Sequence, residues 1–274
     1  MDLKRVLTIA GSDSSGGAGI QADLKTIAAH LLYGESVLTA LTAQNTCGVT
    51  GVVDVPPDFV AQQITAVFED ICPDAVKIGM VSTPHIVSAI AERLAFYRAP
   101  HVVVDPVMVA TSGADLMVDG TPRALADVLF PLAEVVTPNI PEASVLAGFD
   151  AASFGVESMI SAARAVSALT PGAVLVKGGH LEGEDAATDV LLVPGCDEPV
   201  ILRGTHIETT NTHGTGCTLS SAIACNLALG HDVVEAVRLA KAYLETCLAA
   251  GLALGRGGGP LDHMAPLRAA GARP

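Results

Sequence analysis

The feature that most constrains the fold is the alternation along the chain between short apolar runs and longer segments with helical periodicity. The apolar run at residues 5–10 predicts a strand, which is followed by a loop rich in Gly and Ser and by a helix predicted over residues 20–32. Hydrophobic residues make up 50% of the chain and aromatic residues only 3%, so the core must consist of aliphatic layers, as in buried parallel sheets. This order of elements predicts an α/β fold with a mostly parallel sheet and helices on both faces.

The same pattern continues along the rest of the chain. Further strands are predicted at residues 37–43, 49–55, 75–78, 101–105, 134–137, 174–177, 190–193 and 200–202, and further helices at residues 57–71, 83–97, 215–229 and 233–254. The last two strands flank Pro194 and Gly195 and are predicted to form an antiparallel hairpin at one edge. No repeat, low-complexity tract or linker interrupts residues 1–260, so residues 1–274 are predicted to form a single domain whose tail, after about residue 264, is expected to fray.

Charge and cysteine usage exclude several classes of protein. The formal net charge is -14, and Lys and Arg form no cluster of the kind that binds nucleic acid. No signal-peptide pattern begins the sequence and no apolar stretch is long enough to span a bilayer, so we expect a cytoplasmic protein without a membrane partner. The six cysteines have no CxxC pair and no ligand-like spacing with His, so neither a zinc site nor a disulfide framework is predicted.

The Gly-rich loop that follows the first strand has several interpretations. A phosphate-binding P-loop requires Lys where Gly17 stands, and a dinucleotide-binding loop would need an acidic residue where the second strand ends at Ala43 and Gln44. Both interpretations therefore fail. A flexible turn before a helix remains open, as does a loop that closes on a small ligand, with Asp23 one turn into the helix.

A second Gly-rich loop precedes the first of the two long C-terminal helices. Gly214 and Gly216 permit close approach to the backbone, and Thr215 adds a hydroxyl group. Free N–H groups at the start of a helix, together with the helix dipole, can bind an anion. An ordinary Gly-rich helix start remains the alternative.

Three charged residues stand just after predicted strands. Asp105, Glu142 and Lys177 are therefore expected near the carboxyl edge of the sheet, where α/β proteins bind their ligands. One or two carboxylates suffice to hold Mg²⁺ together with phosphates and water. A helix cap, a salt bridge or a surface Lys would explain the same residues individually. Together they could supply what phosphoryl transfer requires, namely an anion cradle, a metal and compensating positive charge.

At this level of detail the motifs resemble a known family. Three segments resemble the ribokinase-like superfamily: Gly214-Thr-Gly-Cys217, Asp105-Pro-Val-Met108 and Thr137-Pro-Asn-Ile-Pro-Glu142. Four others are similar to hydroxymethylpyrimidine/phosphomethylpyrimidine kinases: residues 11–23, residues 40–46, Val176-Lys-Gly-Gly-His180 and Gly257-Gly-Gly-Pro260. The resemblance covers residues 5–263. It implies a ribokinase-like three-layer α/β/α fold and an ATP-dependent kinase that phosphorylates hydroxymethylpyrimidine and then its monophosphate in thiamine biosynthesis.

The resemblance also implies roles for individual residues. Those implied to line the pyrimidine pocket are Gly11, Asp23, Gln44, Met80 and Val107. Those implied around ATP are Asn139, Lys177, Thr212 and Lys241, with Asp105 and Glu142 holding Mg²⁺. The implied catalytic loop is Gly214, Thr215, Gly216 and Cys217, and residues 110–117 are implied to form a flap over the site.

Cys217 stands where the superfamily usually has an Asp general base. A helix N-terminus favours the thiolate, so we expect a lowered pKa for Cys217. The family suggests a homodimer. Two departures from its pattern are Glu35, where a small residue is more usual, and Arg256, where His is expected. A pyridoxal kinase of the same fold and a non-catalytic pyrimidine-binding protein remain the alternatives.

Overall fold

The structure is a computed structural model that describes residues 3–110, 113–148, 155–179 and 186–272. Within these ranges, nine strands form one sheet in the order β3-β2-β1-β4-β5-β6-β7-β8-β9. The strands are β1 (Arg5–Asp13), β2 (Tyr33–Asn45), β3 (Gly48–Asp54), β4 (Ala75–Ile78), β5 (Val102–Val104), β6 (Val135–Val136), β7 (Ala173–Val176), β8 (Asp189–Leu192) and β9 (Val200–Leu202). The six central strands, β2-β1-β4-β5-β6-β7 in sheet order, run parallel to one another. At the two edges, β3 pairs antiparallel with β2, β8 with β7, and β9 with β8.

Helices cover both faces of this sheet. They are α1 (Gly19–Ala29), α2 (Pro57–Phe68), α3 (Pro84–Tyr97), α4 (Thr121–Ala124), α5 (Ile140–Ala147), α6 (Val156–Ser167), α7 (Thr215–Ala228), α8 (Val233–Ala249) and α9 (Ala265–Ala269). Side chains alternate across β5: Val102 and Val104 pack with α2, α3 and α6, while Val103 packs on the opposite face with α7 and α8. The predicted three-layer α/β/α architecture with an antiparallel edge hairpin is confirmed.

The structure differs from the sequence-based expectations at several element ends. β1 continues to Asp13 instead of ending at residue 10, and α5 and α6 were not predicted. After residue 264, where the sequence analysis expects fraying, the structure has the short helix α9, and the fraying itself stays a prediction. The chain before this helix is anchored, because His263 is buried, its carbonyl accepts a hydrogen bond from Tyr243 Oη, and its Nε2 lies 3.0 Å from Thr218 Oγ1.

Within the described ranges, no helix combines the length and the apolar character that a membrane crossing requires.

Candidate active site

The strand-end residues predicted from the sequence meet at the carboxyl edge of the sheet. Asp105 follows β5 and Lys177 follows β7, and the Lys177 Nζ lies 2.7 Å from Asp105 Oδ1. Gly216, in the first turn of α7, adjoins both residues: a Cβ atom there would lie 3.3 Å from Asp105 Oδ2 and 3.4 Å from Lys177 Nζ. A buried carboxylate, an ammonium group and the start of a helix thus share one location.

Glu142 joins this cluster from α5. Its carboxylate accepts a hydrogen bond from the backbone N–H of Asn139, whose side chain caps α5 in return, so both residues form a capping box. The same carboxylate lies 3.7 Å from Lys177 Nζ. Burial raises the pKa of Glu142, and the charge of Asp105 adds to this shift while Lys177 opposes it. Glu142 is therefore both a helix cap and a member of an ion-pair cluster.

The donor atoms of this cluster fit Mg²⁺. The carboxyl groups of Asp105 and Glu142 lie 2.7 and 3.7 Å from the same Lys177 ammonium group, so two sets of oxygen ligands meet at one point. In the part of the chain that the structure describes, no three His, Cys, Asp or Glu side chains form a ready-made metal cage. Mg²⁺ typically binds one or two carboxylates and takes its remaining ligands from phosphates and water. Asp105 and Glu142 are thus suited to a metal ion that arrives with a nucleotide.

The loop before α7 has the geometry of an anion site. Gly214 is the N-cap with φ 88°, and a Cβ atom there would lie 2.0 Å from the carbonyl oxygen of Gly17 in the first Gly-rich loop. Only glycine fits this contact. The N–H groups of the first helical turn have no partner within the helix, so those of Gly216 and Cys217 are available to a phosphate.

Cys217 lies within this site, but the expected shift of its pKa is wrong in sign. Burial raises the pKa of Cys217 to about 11; the Lys77 ammonium opposes this shift, and the carboxylates of Asp23 and Asp105 add to it. Desolvation of the thiolate is the largest cause, and it exceeds the opposing effects of the Lys77 ammonium and of the hydrogen bond from the backbone N–H of Gly19.

Lys77 lies beneath this site and was not predicted from the sequence. Its side chain and that of Asp23 are 0% exposed, and Lys77 Nζ lies 2.9 and 2.8 Å from the two oxygens of Asp23. Thr8 and Ser221 donate to the same carboxylate. The prediction that Asp23 lines the pyrimidine pocket gains no support from this placement. A Lys in an otherwise apolar strand was the available signal, since a buried Lys needs a charged partner.

The residues predicted to bind the pyrimidine come from separate segments of this edge. Gly11 adjoins Met80, because a Cβ at Gly11 would lie 3.0 Å from Met80 Sδ. Val107 is partly buried, two residues beyond Asp105. Gln44 is also partly buried, and its backbone exchanges hydrogen bonds with the Ser14 hydroxyl in the first Gly-rich loop. No described contact joins Gln44 to the other three residues.

The residues predicted around ATP are only partly brought together. Lys241 pairs with Asp189 at 2.6 Å, and Asp189 in turn accepts from the N–H of Gly178, the residue after Lys177. Lys241 therefore does not contact Asp105, Glu142 or Lys177 directly and is linked to them through Asp189 and Gly178. Thr212 is exposed, just ahead of the anion loop.

Two predicted segments extend outside the described residues. Residues 111 and 112 of the predicted flap and His180 of the Val176-Lys-Gly-Gly-His180 motif lie outside the described residues. On either side of that gap in the flap, Val109 and Asp115 form a β-bridge.

Comparisons with known proteins identify the family of the chain. A family model described as phosphomethylpyrimidine kinase matches residues 13–262. The hydroxymethylpyrimidine/phosphomethylpyrimidine kinase of Rhizobium meliloti (strain 1021) is 52% identical over 259 residues, which cover 94% of this chain and 96% of that protein. The thiamine biosynthesis bifunctional protein ThiED of Geobacter sulfurreducens is 51% identical over 259 residues. The match covers 94% of this chain but only 52% of that longer protein.

The structural comparison points to the same fold. The pyridoxal kinase of Bacillus subtilis, solved as an ADP complex, superposes with a TM-score of 0.88 at 37% identity, covering 98% of this chain and 100% of that one. The family model spans nearly the whole sheet, from the end of β1 to the segment before α9. The chain belongs to the phosphomethylpyrimidine kinase family.

Proposed function

We propose that the chain is an ATP-dependent kinase that phosphorylates 4-amino-5-hydroxymethyl-2-methylpyrimidine and then its monophosphate, for thiamine diphosphate biosynthesis. The observation that carries this proposal is the meeting of Asp105, Lys177 and the first turn of α7 at one edge of the sheet. Phosphoryl transfer depends mainly on such positioning and charge compensation. Membership of the family supports the pyrimidine alcohol as the substrate.

Each residue then has a distinct task. The N–H groups of Gly216 and Cys217 would bind the transferring phosphate, and Lys177 would balance the charge that develops on it. Asp105 and Glu142 would hold Mg²⁺, which supplies further neutralisation of the phosphates when it is bound. Cys217 would accept the proton of the substrate hydroxyl group. Its raised pKa means that this thiol is mostly protonated near neutral pH.

Pyridoxal is the second candidate substrate. The similarity to a pyridoxal kinase at 37% identity favours it, whereas the relatives above 50% identity are named for pyrimidine or thiamine chemistry. A non-catalytic pyrimidine-binding protein would be expected to lack Asp105, Glu142 or the loop before α7, and this chain has all three. The homodimer and the cytoplasmic location expected from the sequence stay predictions.

Substitution of Gln44 tests the assignment of the pyrimidine site. A carboxamide can donate to a ring nitrogen and accept from an amino group, and sites built on such hydrogen bonds discriminate strongly. We expect Gln44→Leu to raise KM for the pyrimidine alcohol by about tenfold or more and to leave KM for ATP nearly unchanged.

Gln62→Leu provides the matched control, because Gln62 is exposed on α2. This variant should behave like the wild type in steady-state kinetics with both substrates varied. Equal changes in both KM values for Gln44→Leu would mean that Gln44 has a structural role and that the pyrimidine binds elsewhere.

A further inference from the structure

A buried carboxylate joins the two Gly-rich loops. Asp13 is 2% exposed, and its Oδ1 accepts from the N–H and the hydroxyl of Ser15, both at 2.8 Å. Its Oδ2 accepts from the N–H groups of Gly17 and Ala18 at 3.0 and 2.9 Å. Burial alone would raise the pKa of Asp13, but hydrogen bonds from His213, Ser15 and Ala18 hold it well below its usual range. Asp13 is therefore an anion that only accepts hydrogen bonds.

His213 completes this arrangement from the second loop. Its Nε2 lies 2.8 Å from Asp13 Oδ2, and the side chain is 6% exposed. Because the Asp13 carboxylate has no hydrogen to donate, the hydrogen between the two groups must belong to His213 Nε2. The ring also packs against the backbone of Gly17, where a Cβ would lie 2.3 Å from His213 Cδ2. This contact gives a physical reason why the position that a P-loop fills with Lys is glycine here.

The tip of Gln44 lies between His213 and Thr42. His213 Nε2 is 3.5 Å from the nitrogen of the Gln44 carboxamide, and Thr42 Oγ1 is 3.0 Å from its oxygen. In this orientation two N–H groups face each other. Thr42 Oγ1 also lies 2.9 Å from the carbonyl oxygen of Ser12, yet a hydroxyl group has a single hydrogen for two acceptors.

A half-turn of the carboxamide removes both conflicts. The amide oxygen then faces the single N–H group at His213 Nε2, whose hydrogen bonds Asp13 at 2.8 Å and is shared with the amide oxygen over the longer distance of 3.5 Å. The amide nitrogen donates to Thr42, and the Thr42 hydrogen goes to the carbonyl oxygen of Ser12. Oxygen and nitrogen of a side-chain amide occupy nearly the same space, so the hydrogen-bond count decides between the two orientations.

We propose that His213, held by Asp13, is a positioning residue that fixes the orientation of the Gln44 carboxamide and thereby makes the site selective for an aminopyrimidine. This inference rests on the proposed function. The fixed amide presents one free lone pair on its oxygen and one free N–H on its nitrogen to the substrate, and the positions of this acceptor and this donor cannot be exchanged. A 4-aminopyrimidine offers a donor next to an acceptor. The 4-oxo analogue offers the reverse order, which only a rotated amide could match.

The test compares kcat/KM for the 4-amino pyrimidine alcohol and for its 4-oxo analogue. His213→Phe keeps a ring against Gly17 but lacks the N–H group, and His213→Asn carries its amide nitrogen near the position of Nδ1. Thr42→Val removes the other partner of Gln44 without changing the buried ring. We expect each variant to lower the amino-over-oxo preference by about tenfold or more, because an unlocked amide can match either pattern.

His213→Gln provides the rescue, since its amide nitrogen can take the place of Nε2, and it should keep the preference within about threefold of the wild type. KM for ATP should stay constant across the series. His85→Phe, on the exposed surface of α3, is the control for a His-to-Phe change. A role limited to stability would lower the thermal midpoint of His213→Phe without changing the preference.

Each result has a defined meaning. An unchanged preference in folded His213→Phe, or in Thr42→Val if the Phe variant does not fold, would overturn the inference alone. Wild-type protein that phosphorylates neither pyrimidine would instead overturn the proposed function, and the inference with it. Loss of preference in His213→Phe and Thr42→Val together with its retention in His213→Gln supports the inference.

Discussion

At the scale of single residues, Cys217 combines a suitable place with an unfavourable ionisation state. It lies in the first turn of α7, next to the groups expected to bind phosphate, yet burial raises the pKa of its thiol to about 11. Only a small fraction of the protein then has the thiolate that could accept a proton at neutral pH. As long as the pH stays below the pKa, the thiolate fraction rises about tenfold for each unit by which the pH rises.

The pH dependence of the two reactions should therefore differ. With Cys217 as the base, kcat/KM for the pyrimidine alcohol should rise about tenfold per pH unit between pH 7 and 9. The monophosphate needs no base, because its second pKa is about 6 and its oxygen is already ionised, so its profile should be nearly flat. Cys217→Ala should remove the rise for the alcohol only. Parallel profiles for the two substrates would show that Cys217 merely shapes the anion loop.

Glu35 is a second residue whose surroundings disfavour the ionised form of its side chain. It is 8% exposed in β2, and neither carboxylate oxygen finds a hydrogen-bond partner among the described residues. Burial raises the pKa of Glu35 to about 7, partly offset by Arg5 and reinforced by Asp74. The resemblance stated above implies a small residue at this position, and a small residue would avoid the free-energy cost of burying a carboxyl group.

Stability should depend on pH through Glu35. Because its pKa is about 7 in the folded protein, against an ordinary value of 4.5, the folded state keeps a proton that the unfolded chain loses in this range. The free energy of unfolding therefore falls as pH rises from about 4.5 to 7 and stays low above it. Relative to wild type, Glu35→Gln should gain about 2 kcal/mol between pH 5 and pH 8.

Urea denaturation at several pH values measures this gain. Glu92→Gln is the matched control, because Glu92 is largely exposed on α3 and should change little with pH. If the curves of free energy against pH for Glu35→Gln and wild type run parallel, Glu35 is ionised in the folded protein throughout.

At the scale of elements, the existence and order of the strands were predictable, whereas several strand ends and the helices α5 and α6 were not. The buried strands are continuous apolar runs, so the residues that follow them, Asp105 and Lys177, could be assigned to the carboxyl edge. α5 has eight residues and too few turns for a clear helical period. The spacing of Asn139 and Glu142 was the available signal, because it matches a capping box.

The pairing of the buried side chains of Lys77 and Asp23 could not be predicted from the predicted strands and helices. It joins β4 to α1, and Ser221 of α7 donates to the same carboxylate. Removing one member of such a pair typically costs about 3–5 kcal/mol, because the other charge stays buried without a partner. Neither sequence position identifies the other, since the two side chains meet only after the sheet and the helices have packed.

At the scale of the whole molecule, parallel pairing brings distant positions to one site. The neighbouring strands β5, β6 and β7 end at the same edge, so Asp105 and Lys177 meet although they lie 72 positions apart. This meeting follows from the rule for α/β sheets and was expected. The contact between Asp13 and His213, 200 positions apart, joins two loops and depends on the final packing, so no local pattern could predict it.

The central claim is that this edge of the sheet transfers phosphate from ATP to a pyrimidine alcohol. The most direct test is ATP consumption by the pure protein with Mg²⁺ and, in parallel, the pyrimidine alcohol, its monophosphate and pyridoxal. We expect consumption with both pyrimidines, a kcat/KM for pyridoxal at least about tenfold lower than that for the alcohol, and strong loss in Asp105→Ala with all three. Consumption with pyridoxal alone, or with none of the three, would contradict the account.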